Sequence, residues 1–493
     1  MSTENILPAD LNGVHIHFVG IKGTGMVALV EIAHQRGAVI TGSDVPEKFY
    51  TDEILNKLKI KVFTTFNATN INDDVQFVIY SSAYKRNQNP DLLEADMRKI
   101  PIMLYNEALG AISALAYSCG ISGVHGKTTT TGLTGTVLKM LNIPAQVLAG
   151  SIISSFGNTC TLNNGKKYFV AETCEYQRHF MTFHPQKIIL TSVESDHEDF
   201  YPTYESIRDA FVDYALLLPN MGQLIYSADD KGAVEVAKIV ADKRSDIQLI
   251  PYGVSAKNDY SLKIGEIKDG KQFFKIGAFE DEFVLKIPGD HMVSNACAAC
   301  ALAIELLKHF KQKENLSKED MQNVFQNLKD GFASFTGAKR RSEIIAEKNN
   351  ILIMDDYAHH PTAITTTLAG LRKFYPNKRI IVDFMSHTYT RTAALLDRFA
   401  ESFSSADEVI LHKIYPSARE KYDGNVTGKV LFEKTKQNHT KVSYYEEVLD
   451  ALPYVQSIIK SGDLFITMGA GDNWKIGKLL AEKLNEQTST INT

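Results

Sequence analysis

Short apolar runs alternate with segments of helical periodicity over the first hundred residues. Buried strands are predicted at residues 14–20, 38–44 and 75–82, and an apolar helix reaching Ile32 lies between the first two. Parallel neighbours in a sheet need such crossover helices, so this alternation favours a parallel, doubly wound sheet. The first part of the chain is therefore predicted to be α/β.

The same alternation continues through two further blocks. Strands are predicted at residues 168–172, 187–193, 223–227, 350–355, 379–384, 408–412 and 463–467. A small antiparallel excursion is predicted over residues 255–290. Because 493 residues are too many for one core, several domains are expected. We place them at residues 1–112, 113–336 and 337–493.

The middle block opens with a glycine-rich turn that reads GISGVHGKTTTT over residues 120–131. Small residues let backbone N–H groups surround phosphate oxygens, the lysine reaches the β- and γ-phosphates, and the next hydroxyl is a Mg²⁺ ligand. Leu133, Val137 and Leu141 recur every fourth residue, which predicts a helix after the turn. We therefore expect a nucleoside-triphosphate site formed by Gly123, Val124, His125, Gly126, Lys127, Thr128 and Thr129. The turn alone does not separate a kinase from a GTPase, a motor or a ligase.

A second glycine turn follows the first predicted strand and has the spacing Gly23-x-Gly25-x-x-Ala28. Asp44 ends the next strand, where an acid binds ribose in dinucleotide sites. An NAD(P)-dependent oxidoreductase is therefore one hypothesis. The same turn is also typical of helix N-termini that bind other diphosphates, and of turns that serve only helix packing.

Acidic side chains cluster after two predicted strands of the middle block. One run contains Glu172 and Glu175, and the other contains Glu194, Asp196 and His197. Ligands gather at the carboxyl ends of strands in open α/β sheets, and carboxylates beside a triphosphate are suitable Mg²⁺ ligands. Both runs are therefore candidate metal-binding segments, although each one alone also fits a solvated acidic loop.

Polar and aromatic residues gather in two loops of the last block. Residues 354–362 read MDDYAHHPT and residues 386–392 read SHTYTRT, each after a predicted strand. Pro361 suits the first turn of a helix. The paired histidines are compatible with zinc, but no third ligand follows at a suitable spacing. A pocket for a substrate carboxylate or phosphate is the favoured interpretation, with simple surface loops as the alternative.

Composition and charge exclude several classes of partner. The chain has 53 basic and 58 acidic residues, a net charge of −5 and no long basic run, which argues against binding to nucleic acid. No apolar run approaches the roughly 20 residues that span a bilayer, and no signal peptide is evident, so we expect no membrane contact and a cytoplasmic location. The five cysteines suggest no disulfide framework, and Cys297 and Cys300 are expected on a packed helix.

Taken together, these motifs resemble those of the Mur ligases, the ATP-dependent amide-forming enzymes of peptidoglycan synthesis, over essentially the whole chain. The matching segments are residues 20–25, 41–44, 123–131, 172–175, 194–199, 340–341, 355–362, 387–392 and 414–420. The last two segments are similar to the alanine-adding branch of the family. The resemblance implies an α/β fold of three domains: N-terminal Rossmann-like, central P-loop ATPase-type, and C-terminal Rossmann-like.

The resemblance also implies an activity, with ATP and Mg²⁺ as cofactors. The carboxylate of UDP-N-acetylmuramic acid would take the γ-phosphoryl group of ATP, and the amine of L-alanine would attack the resulting acyl phosphate. Three alternatives stay open: a recycling ligase that adds a preformed tripeptide, the oxidoreductase, and a non-catalytic regulator, since residues 172–177 depart from the family pattern. Whether the chain is a monomer or a dimer is also left open.

Individual residues receive roles from the same resemblance. Catalytic roles fall to Lys127, Glu172, His197, Arg341, His359 and Arg391. Thr128, Glu172 and His197 would hold metal ions, Asn295 would touch adenine, and Arg341 would approach the γ-phosphate. The UDP-linked substrate would lie on Gly20, Gly23, Thr24, Gly25, Met26, Asp44 and Ser82. The muramoyl group and the amino acid would lie near Tyr357, His359 and Arg391.

Overall fold

Four β-sheets organise the part of the chain that the structure describes, residues 7–416, 424 and 426–489. The structure is a computed structural model. Three of the sheets are wholly or mainly parallel, with helices between their strands, and the fourth is a small antiparallel sheet. The predicted α/β class is therefore confirmed.

The first sheet is parallel and carries the N-terminal glycine turn. Its strands are β1 (His15–Val19), β2 (Val39–Ser43), β3 (Lys61–Phe63), β4 (Phe77–Tyr80) and β5 (Ile102–Leu104), in the order β3-β2-β1-β4-β5. The helices between them are α1 (Thr24–Gln35), α2 (Asp52–Lys57), α3 (Pro90–Met97) and α4 (Tyr105–Ser113). Strand β1 is central and fully buried, and its two histidine rings are within hydrogen-bond distance of the Thr41 hydroxyl of β2.

The second sheet carries the phosphate loop. Its strands are β6 (Tyr117–Ser122), β7 (Ala145–Ile153), β8 (Thr159–Asn163), β9 (Tyr168–Glu172), β10 (Lys187–Leu190), β11 (Gln223–Ser227) and β12 (Gln248–Tyr252). The helices among them are α5 (Lys127–Met140), α6 (Tyr204–Ala215) and α7 (Lys231–Lys243). The strand order is β12-β11-β10-β6-β9-β7-β8, with β8 antiparallel to β7 and the other pairs parallel. Helix α5 begins where the sequence predicts it and buries Leu133 and Val137.

An antiparallel sheet and two long helices complete this region. The strands β13 (Leu262–Lys268), β14 (Lys271–Ile276) and β15 (Phe283–Leu285) confirm the excursion predicted over residues 255–290. The helices are α8 (Asp290–Lys311) and α9 (Lys318–Ser334). Among the described helices, α8 alone is long and apolar enough to cross a membrane, but 78% of its apolar window is buried inside the protein. It packs against α5 and buries the free thiols of Cys297 and Cys300, as predicted.

The last sheet is parallel except at one edge. Its strands are β16 (Glu343–Lys348), β17 (Ile351–Asp356), β18 (Arg379–Met385), β19 (Glu408–Leu411), β20 (Val442–Tyr444) and β21 (Asp463–Gly469), in the order β16-β17-β21-β18-β19-β20. Strand β16 is antiparallel to β17. The helices are α10 (Pro361–Phe374), α11 (Tyr389–Ala394), α12 (Leu396–Glu401), α13 (Gly428–Thr435), α14 (Leu452–Ile458) and α15 (Trp474–Ser489). Pro361 opens α10, as predicted, whereas residues 417–420 of the alanine-branch segment lie outside the described residues.

Every predicted strand is present, with some shifts at the ends. The strands not predicted from the sequence are β3, β5, β6, β7, β8, β12, β16 and β20. All of these except β6 and β7 lie at sheet edges. Strands β3 and β20, for example, have no fully buried residue, so they lack the continuous apolar run that marks a central parallel strand.

Helix α1 joins the first sheet to the second, because it packs against β7 and β8. The Glu31 carboxylate accepts a hydrogen bond from the Cys160 backbone N–H at 3.1 Å, and Arg36 Nε donates to Gln146 Oε1 at 2.8 Å. These four residues are buried, so the contact belongs to the interior of the protein.

Candidate active site

Three adjacent strands of the second sheet bring the glycine-rich and acidic segments together. In the order β10-β6-β9, the phosphate loop follows β6, Glu172 ends β9, and residues 191–199 follow β10. These strands are parallel, so their carboxyl ends open at the same edge of the sheet. The segments therefore meet although they are far apart in the sequence.

The phosphate loop has a backbone that requires glycine at two positions. Gly123 and Gly126 have φ angles of +135° and +78°. A Cβ atom at Gly123 would lie 2.1 Å from Thr191 Oγ1, and one at Gly126 would lie 2.7 Å from Asn295 Oδ1. Helix α5 begins at Lys127, so its first backbone N–H groups point into the loop. Asn295 therefore lies directly against this loop.

Lys127 forms an ion pair with Glu175 at the start of α5. Its Nζ donates to Glu175 Oε2 at 2.9 Å and Oε1 at 3.1 Å, and also to the carbonyl oxygens of Gly123 and Val124. Burial disfavours the ammonium charge, but the carboxylates of Glu175 and Glu172 raise the pKa of Lys127 above its ordinary value. Glu175 was predicted only as part of a candidate metal-binding run and received no individual role.

His197 faces the same carboxylate. Its Nε2 lies 3.4 Å from Glu175 Oε1 and 3.8 Å from Asp196 Oδ2. Burial alone would lower the pKa of His197, but Glu175 and Asp196 together raise it. Lys127, Glu175 and His197 thus form one charged cluster beside the loop, in which Glu175 is buried and the other two are partly exposed.

Glu172 is held next to Thr128 by two hydrogen bonds to one oxygen. Thr128 Oγ1 donates to Glu172 Oε2 at 2.9 Å, and the Gly150 backbone N–H donates to the same oxygen at 2.8 Å. A Cβ atom at Gly150 would lie 2.6 Å from Glu172 Oε2, so a larger residue there would displace this carboxylate. A hydroxyl and a carboxylate at a phosphate loop form the hard oxygen set that Mg²⁺ prefers, so Thr128 and Glu172 fit such an ion.

Asp196 links the second sheet to the last one through Arg391. Arg391 Nε and Nη2 donate to Asp196 Oδ1 at 2.9 Å and 2.7 Å, and both residues are buried. Burial alone would raise the pKa of Asp196, but Arg391 and His197 hold it well below its ordinary range. Arg391 was predicted at the site, whereas Asp196 received no individual role.

Glu194 makes a second link between the same two regions. One of its oxygens, Oε1, contacts His125 Nε2 of the phosphate loop. The other oxygen, Oε2, accepts from Thr362 Oγ1 at 2.9 Å and from Arg398 Nη2 at 3.3 Å. The phosphate loop is therefore connected to the N-terminus of α10 and to α12 through one carboxylate.

Tyr357 contacts residues of the last block that were predicted to lie at the site. The guanidinium groups of Arg340 and Arg341 lie 5.2 Å and 5.3 Å from the centre of its ring. His359 Nδ1 donates to the Tyr357 carbonyl oxygen at 2.8 Å. Burial and the charge of Arg391 lower the pKa of His359 well below its ordinary value. The imidazole is therefore neutral at pH 7, and its Nε2 is a hydrogen-bond acceptor.

The Asp44 carboxylate holds the N-terminal turn through two hydrogen bonds. Asp44 Oδ2 accepts from the Lys22 backbone N–H at 2.7 Å, and Oδ1 accepts from the Tyr84 hydroxyl at 2.9 Å. Asp44 thus holds the turn itself, a role that the dinucleotide pattern did not predict. Thr24 bonds to the Tyr50 hydroxyl, and Ser82 is exposed after β4.

A cavity of about 240 Å³ lies where the three parts of the chain meet. Its lining includes Tyr50 and Ile54 from the first part, Ile152 and Asn158 from the second, and Lys339 and Glu343 from the third. Lys339 Nζ lies 5.2 Å from the centre of the Tyr50 ring. The structure therefore offers an enclosed space between the turn residues and the last block.

Three family models match the chain along its length. They are described as Mur ligase family, catalytic domain (residues 15–117), Mur ligase middle domain (residues 121–303) and Mur ligase, glutamate ligase domain (residues 340–471). The UDP-N-acetylmuramate–L-alanine ligase of Treponema pallidum (strain Nichols) is 50% identical over 481 residues, 98% of this chain and 99% of the relative. The ligase of the same name from Borreliella burgdorferi is 38% identical over 469 residues, 94% of this chain and 97% of the relative.

Solved structures agree with these matches. The UDP-N-acetylmuramate-alanine ligase of Thermotoga maritima is similar with a TM-score of 0.74 and 26% identity, covering 96% of this chain and 99% of that one. A murein peptide ligase from Psychrobacter arcticus shares the fold with a TM-score of 0.63 and 22% identity, covering 96% and 99%. The chain belongs to the Mur ligase family.

Proposed function

We propose that this chain joins L-alanine to the carboxyl group of UDP-N-acetylmuramate and converts ATP to ADP and phosphate. The observation that carries the proposal is the name shared by relatives that are 50% and 38% identical over nearly the whole chain. The recycling-ligase alternative is set aside, because these relatives are named for alanine and not for a peptide. The oxidoreductase and the non-catalytic regulator are set aside for the same reason.

ATP would lie on the phosphate loop, with its β- and γ-phosphates near Lys127. In the structure that ammonium group is paired with Glu175, so the γ-phosphate would take over an interaction that a carboxylate already makes. The residues proposed to hold the nucleotide are Gly123, Val124, His125, Gly126, Lys127, Thr128, Thr129, Asn295 and Arg341. Asn295 lies against Gly126, so its amide is well placed for a contact with the nucleotide.

Thr128 and Glu172 are proposed to hold Mg²⁺, and His197 is proposed as a further ligand on the substrate side. When bound, the ion offsets the negative charge of the phosphates. The protein contributes the fixed position of Glu172, which is held by the backbone N–H of Gly150. The charge of Lys127 is maintained by Glu175 and Glu172.

The substrate carboxylate has to approach the γ-phosphate, and both groups are anions. Lys127 and Arg341 would reduce their repulsion, and the carboxylate oxygen would then form the new bond to phosphorus as ADP leaves. The UDP part would lie on the N-terminal turn, at Gly20, Gly23, Thr24, Gly25, Met26, Asp44 and Ser82. The acyl phosphate needs protection from water, which contacts between the last sheet and the second sheet would provide.

The incoming amine would meet Tyr357, His359 and Arg391. His359 is neutral and presents Nε2 as an acceptor, because its Nδ1 proton is used by the Tyr357 carbonyl oxygen. Its lowered pKa makes it a weak base, so we propose that it orients the amine through an N–H···N hydrogen bond. The neutral amine nitrogen attacks the acyl carbonyl carbon, the carbon–oxygen bond to phosphate breaks, and the leaving phosphate takes the proton that the amine releases.

Three further features belong to this proposal. The domains are placed at residues 1–112, 113–336 and 337–493. The enzyme is proposed to act in the cytoplasm, where ATP is available, on small molecules and without nucleic acid or membrane as partner. Whether it acts as a monomer or a dimer is left open.

An ATPase assay with each substrate omitted in turn tests the proposal. ADP release should require UDP-N-acetylmuramic acid, L-alanine and Mg²⁺ together, and a preformed tripeptide should not replace alanine. With ¹⁸O in the muramoyl carboxyl group, one labelled oxygen should appear in the released phosphate, because that oxygen bonds to phosphorus. Turnover without the muramic acid, or unlabelled phosphate, would contradict the proposal.

A further inference from the structure

Two histidines and one glutamate from separate segments meet between the second and last sheets. His125 lies in the phosphate loop, Glu194 follows β10, and His360 is the residue before α10. One possible ligand atom from each lies within 4.8 Å of the others. The paired histidines of residues 359–360 lacked a third ligand nearby in the sequence, and the fold supplies two ligands to His360 from another part of the chain. The proposed Mg²⁺ residues, Thr128 and Glu172, are not members of this cluster.

The donor atoms face one another at a separation that suits a tetrahedral ion. His360 Nδ1 lies 3.6 Å from Glu194 Oε1. Zn–N and Zn–O bonds of about 2.0–2.2 Å place tetrahedral ligand atoms about 3.3–3.6 Å apart. The same oxygen, Glu194 Oε1, makes a direct hydrogen bond to His125 Nε2, and that contact would lengthen to accept an ion.

Glu194 and His360 are deprotonated in the structure, whereas His125 Nε2 donates to Glu194 and would release its proton to an ion. Burial alone would raise the pKa of Glu194, but His125 and His360 lower it to about 2, so the group is a carboxylate. Burial lowers the pKa of His360 to about 4, so its ring is neutral at pH 7. Its Nδ1 accepts a hydrogen bond from the Thr362 backbone N–H at 3.4 Å, so this nitrogen carries the lone pair, and an ion bound there would replace that hydrogen bond. Ligand groups must be deprotonated in this way to bind a metal.

Two neighbouring side chains act on the Glu194 carboxylate: Thr362 orients it, and Arg398 places a positive charge beside it. Thr362 Oγ1 donates to Glu194 Oε2 at 2.9 Å, and this outer contact orients the oxygen that faces the histidines. Arg398 Nη2 lies 3.3 Å from the same Oε2, and about half of its side chain is exposed. A cation at the cluster would be repelled by this guanidinium group, although solvent reduces the repulsion.

We propose that His125, Glu194 and His360 form a binding site for Zn²⁺ or a divalent cation of the same class. Two imidazole nitrogens and one carboxylate oxygen favour such an ion over Mg²⁺, which prefers oxygen ligands only. Three protein ligands leave a fourth position open for water or an anion. Because His125 belongs to the phosphate loop and His360 to the start of α10, a bound ion fixes the last sheet against the nucleotide site.

Titration of the purified full-length chain with Co²⁺, without nucleotide, tests this site. Co²⁺ takes the same ligands as Zn²⁺, and its visible absorption reports tetrahedral coordination. One equivalent should bind with the strong absorption of a tetrahedral site, Zn²⁺ should displace it, and excess Mg²⁺ should not. Octahedral Co²⁺ absorption, or displacement by Mg²⁺, would overturn the proposal.

Ligand variants locate the ion. Glu194→Gln and His360→Asn should each weaken Co²⁺ binding by about tenfold or more, since even the loss of an outer-shell partner costs about that much. Asparagine is a good residue at a helix N-cap, so His360→Asn keeps α10 capped. Arg398→Ala should shift the affinity in the opposite direction, because it removes the opposing charge.

Two controls separate this proposal from the proposed function. His34→Gln removes an exposed histidine of α1 and should leave Co²⁺ binding unchanged. Glu172→Gln removes a ligand of the proposed Mg²⁺ site and should leave the tetrahedral absorption intact. If Glu172→Gln abolishes that absorption while Glu194→Gln retains it, the ion lies at the other site and the inference is wrong. Circular dichroism of each variant verifies that it is folded.

Discussion

The two glycine turns of this chain share a local geometry and differ in what surrounds them. Each follows a buried inner strand of a parallel sheet and leads into a helix, β1 into α1 and β6 into α5. The phosphate loop carries Lys127 and Thr128 on the first turn of its helix. The first turn of α1 carries no charged residue, and the nearby Lys22 Nζ is bonded to the carbonyl oxygens of Val45 and Glu47.

This difference distinguishes a turn that is suited to binding alone from one that is also suited to catalysis. The N-terminal turn can offer backbone N–H groups and a helix N-terminus, which suffice to hold a diphosphate. The phosphate loop adds a partly buried ammonium group, a hydroxyl and acidic partners, which can respond to charge that moves during a reaction. The same strand-turn-helix unit is therefore proposed to serve two purposes, distinguished by the side chains of the first helical turn.

The helices after the two turns differ as well. Helix α5 is buried almost entirely beside its own sheet and α8. Helix α1 buries Glu31 against Cys160 of the second sheet, so it forms part of the contact between two sheets. Variants of the two turns and their helices should therefore differ in activity, in substrate affinity and in stability.

Lys127→Ala should have the largest effect on activity. The change removes the cation proposed to meet the γ-phosphate and leaves Glu175 without its partner, so turnover should fall by about 10³-fold or more. Steady-state ADP release with all substrates measures it. Lys139→Ala, at an exposed position near the end of the same helix, is the matched control and should retain activity. A Lys127 variant with most of its activity would place phosphoryl transfer elsewhere.

Glu172→Gln should have the second largest effect. The amide keeps an oxygen that can accept from Thr128 and Gly150, but it loses the charge proposed to hold Mg²⁺. Turnover should fall by about 10²-fold, with a matching rise in the Mg²⁺ concentration needed for half-maximal rate. The control is Glu266→Gln, an exposed residue of β13. An unchanged Mg²⁺ dependence in the Glu172 variant would argue against this metal site.

The sequence predicted the turns and most of the inner strands, although not β6 and β7, because their signals are local. The order Gly126-Lys127-Thr128 is by itself typical of a phosphate-binding loop. Central parallel strands are usually apolar over their whole length. Edge strands such as β3 and β20 are short and half exposed, so periodicity did not reveal them. Tertiary contact, not pattern, defines these elements.

The hydrogen-bond partners of the proposed site residues were harder to predict than the residues themselves. Lys127 was evident from its motif, but its pairing with Glu175 depends on the adjacency of β6 and β9. Asp44 has the position of a ribose-binding acid, yet its oxygens are used by Lys22 and Tyr84. A motif specifies the residue types and spacing, whereas hydrogen-bond partners depend on residues distant in sequence.

Gly23→Ala should have a smaller effect that falls on affinity alone. Gly23 has a negative φ, and its nearest atom to an added Cβ would be 3.6 Å away, so the fold accepts alanine. The methyl group would occupy space that a diphosphate needs over the turn. The KM for UDP-N-acetylmuramic acid should rise by about tenfold, a loss of about 1.4 kcal/mol of binding energy. The KM for ATP and the melting temperature should not change, and a rise in both KM values would contradict the separation of the two turns.

Glu31→Gln should affect catalysis least and stability most clearly. Burial raises the pKa of Glu31 from 4.5 to about 7 in the folded protein. Between those pH values the unfolded chain releases the proton while the folded chain keeps it, so the free energy of unfolding falls as pH rises. The total loss is about 3 kcal/mol, present in full above pH 7 and absent below pH 4.5. The glutamine variant can still accept from the Cys160 N–H and should lose this slope.

Denaturant unfolding between pH 4 and pH 8 measures the free energy of unfolding. The control is Glu205→Gln at an exposed position of α6, which should keep the pH dependence of the original chain. Near pH 4 the Glu31 variant and the original chain should have similar stability, because the carboxyl group is protonated in both states. Above pH 7 the variant should be the more stable protein, since the original chain buries a charge there. If the stability–pH curves of the variant and the original chain are parallel, water reaches Glu31 in the folded protein. Helix α1 then packs less tightly against β8 than α5 packs against its own sheet.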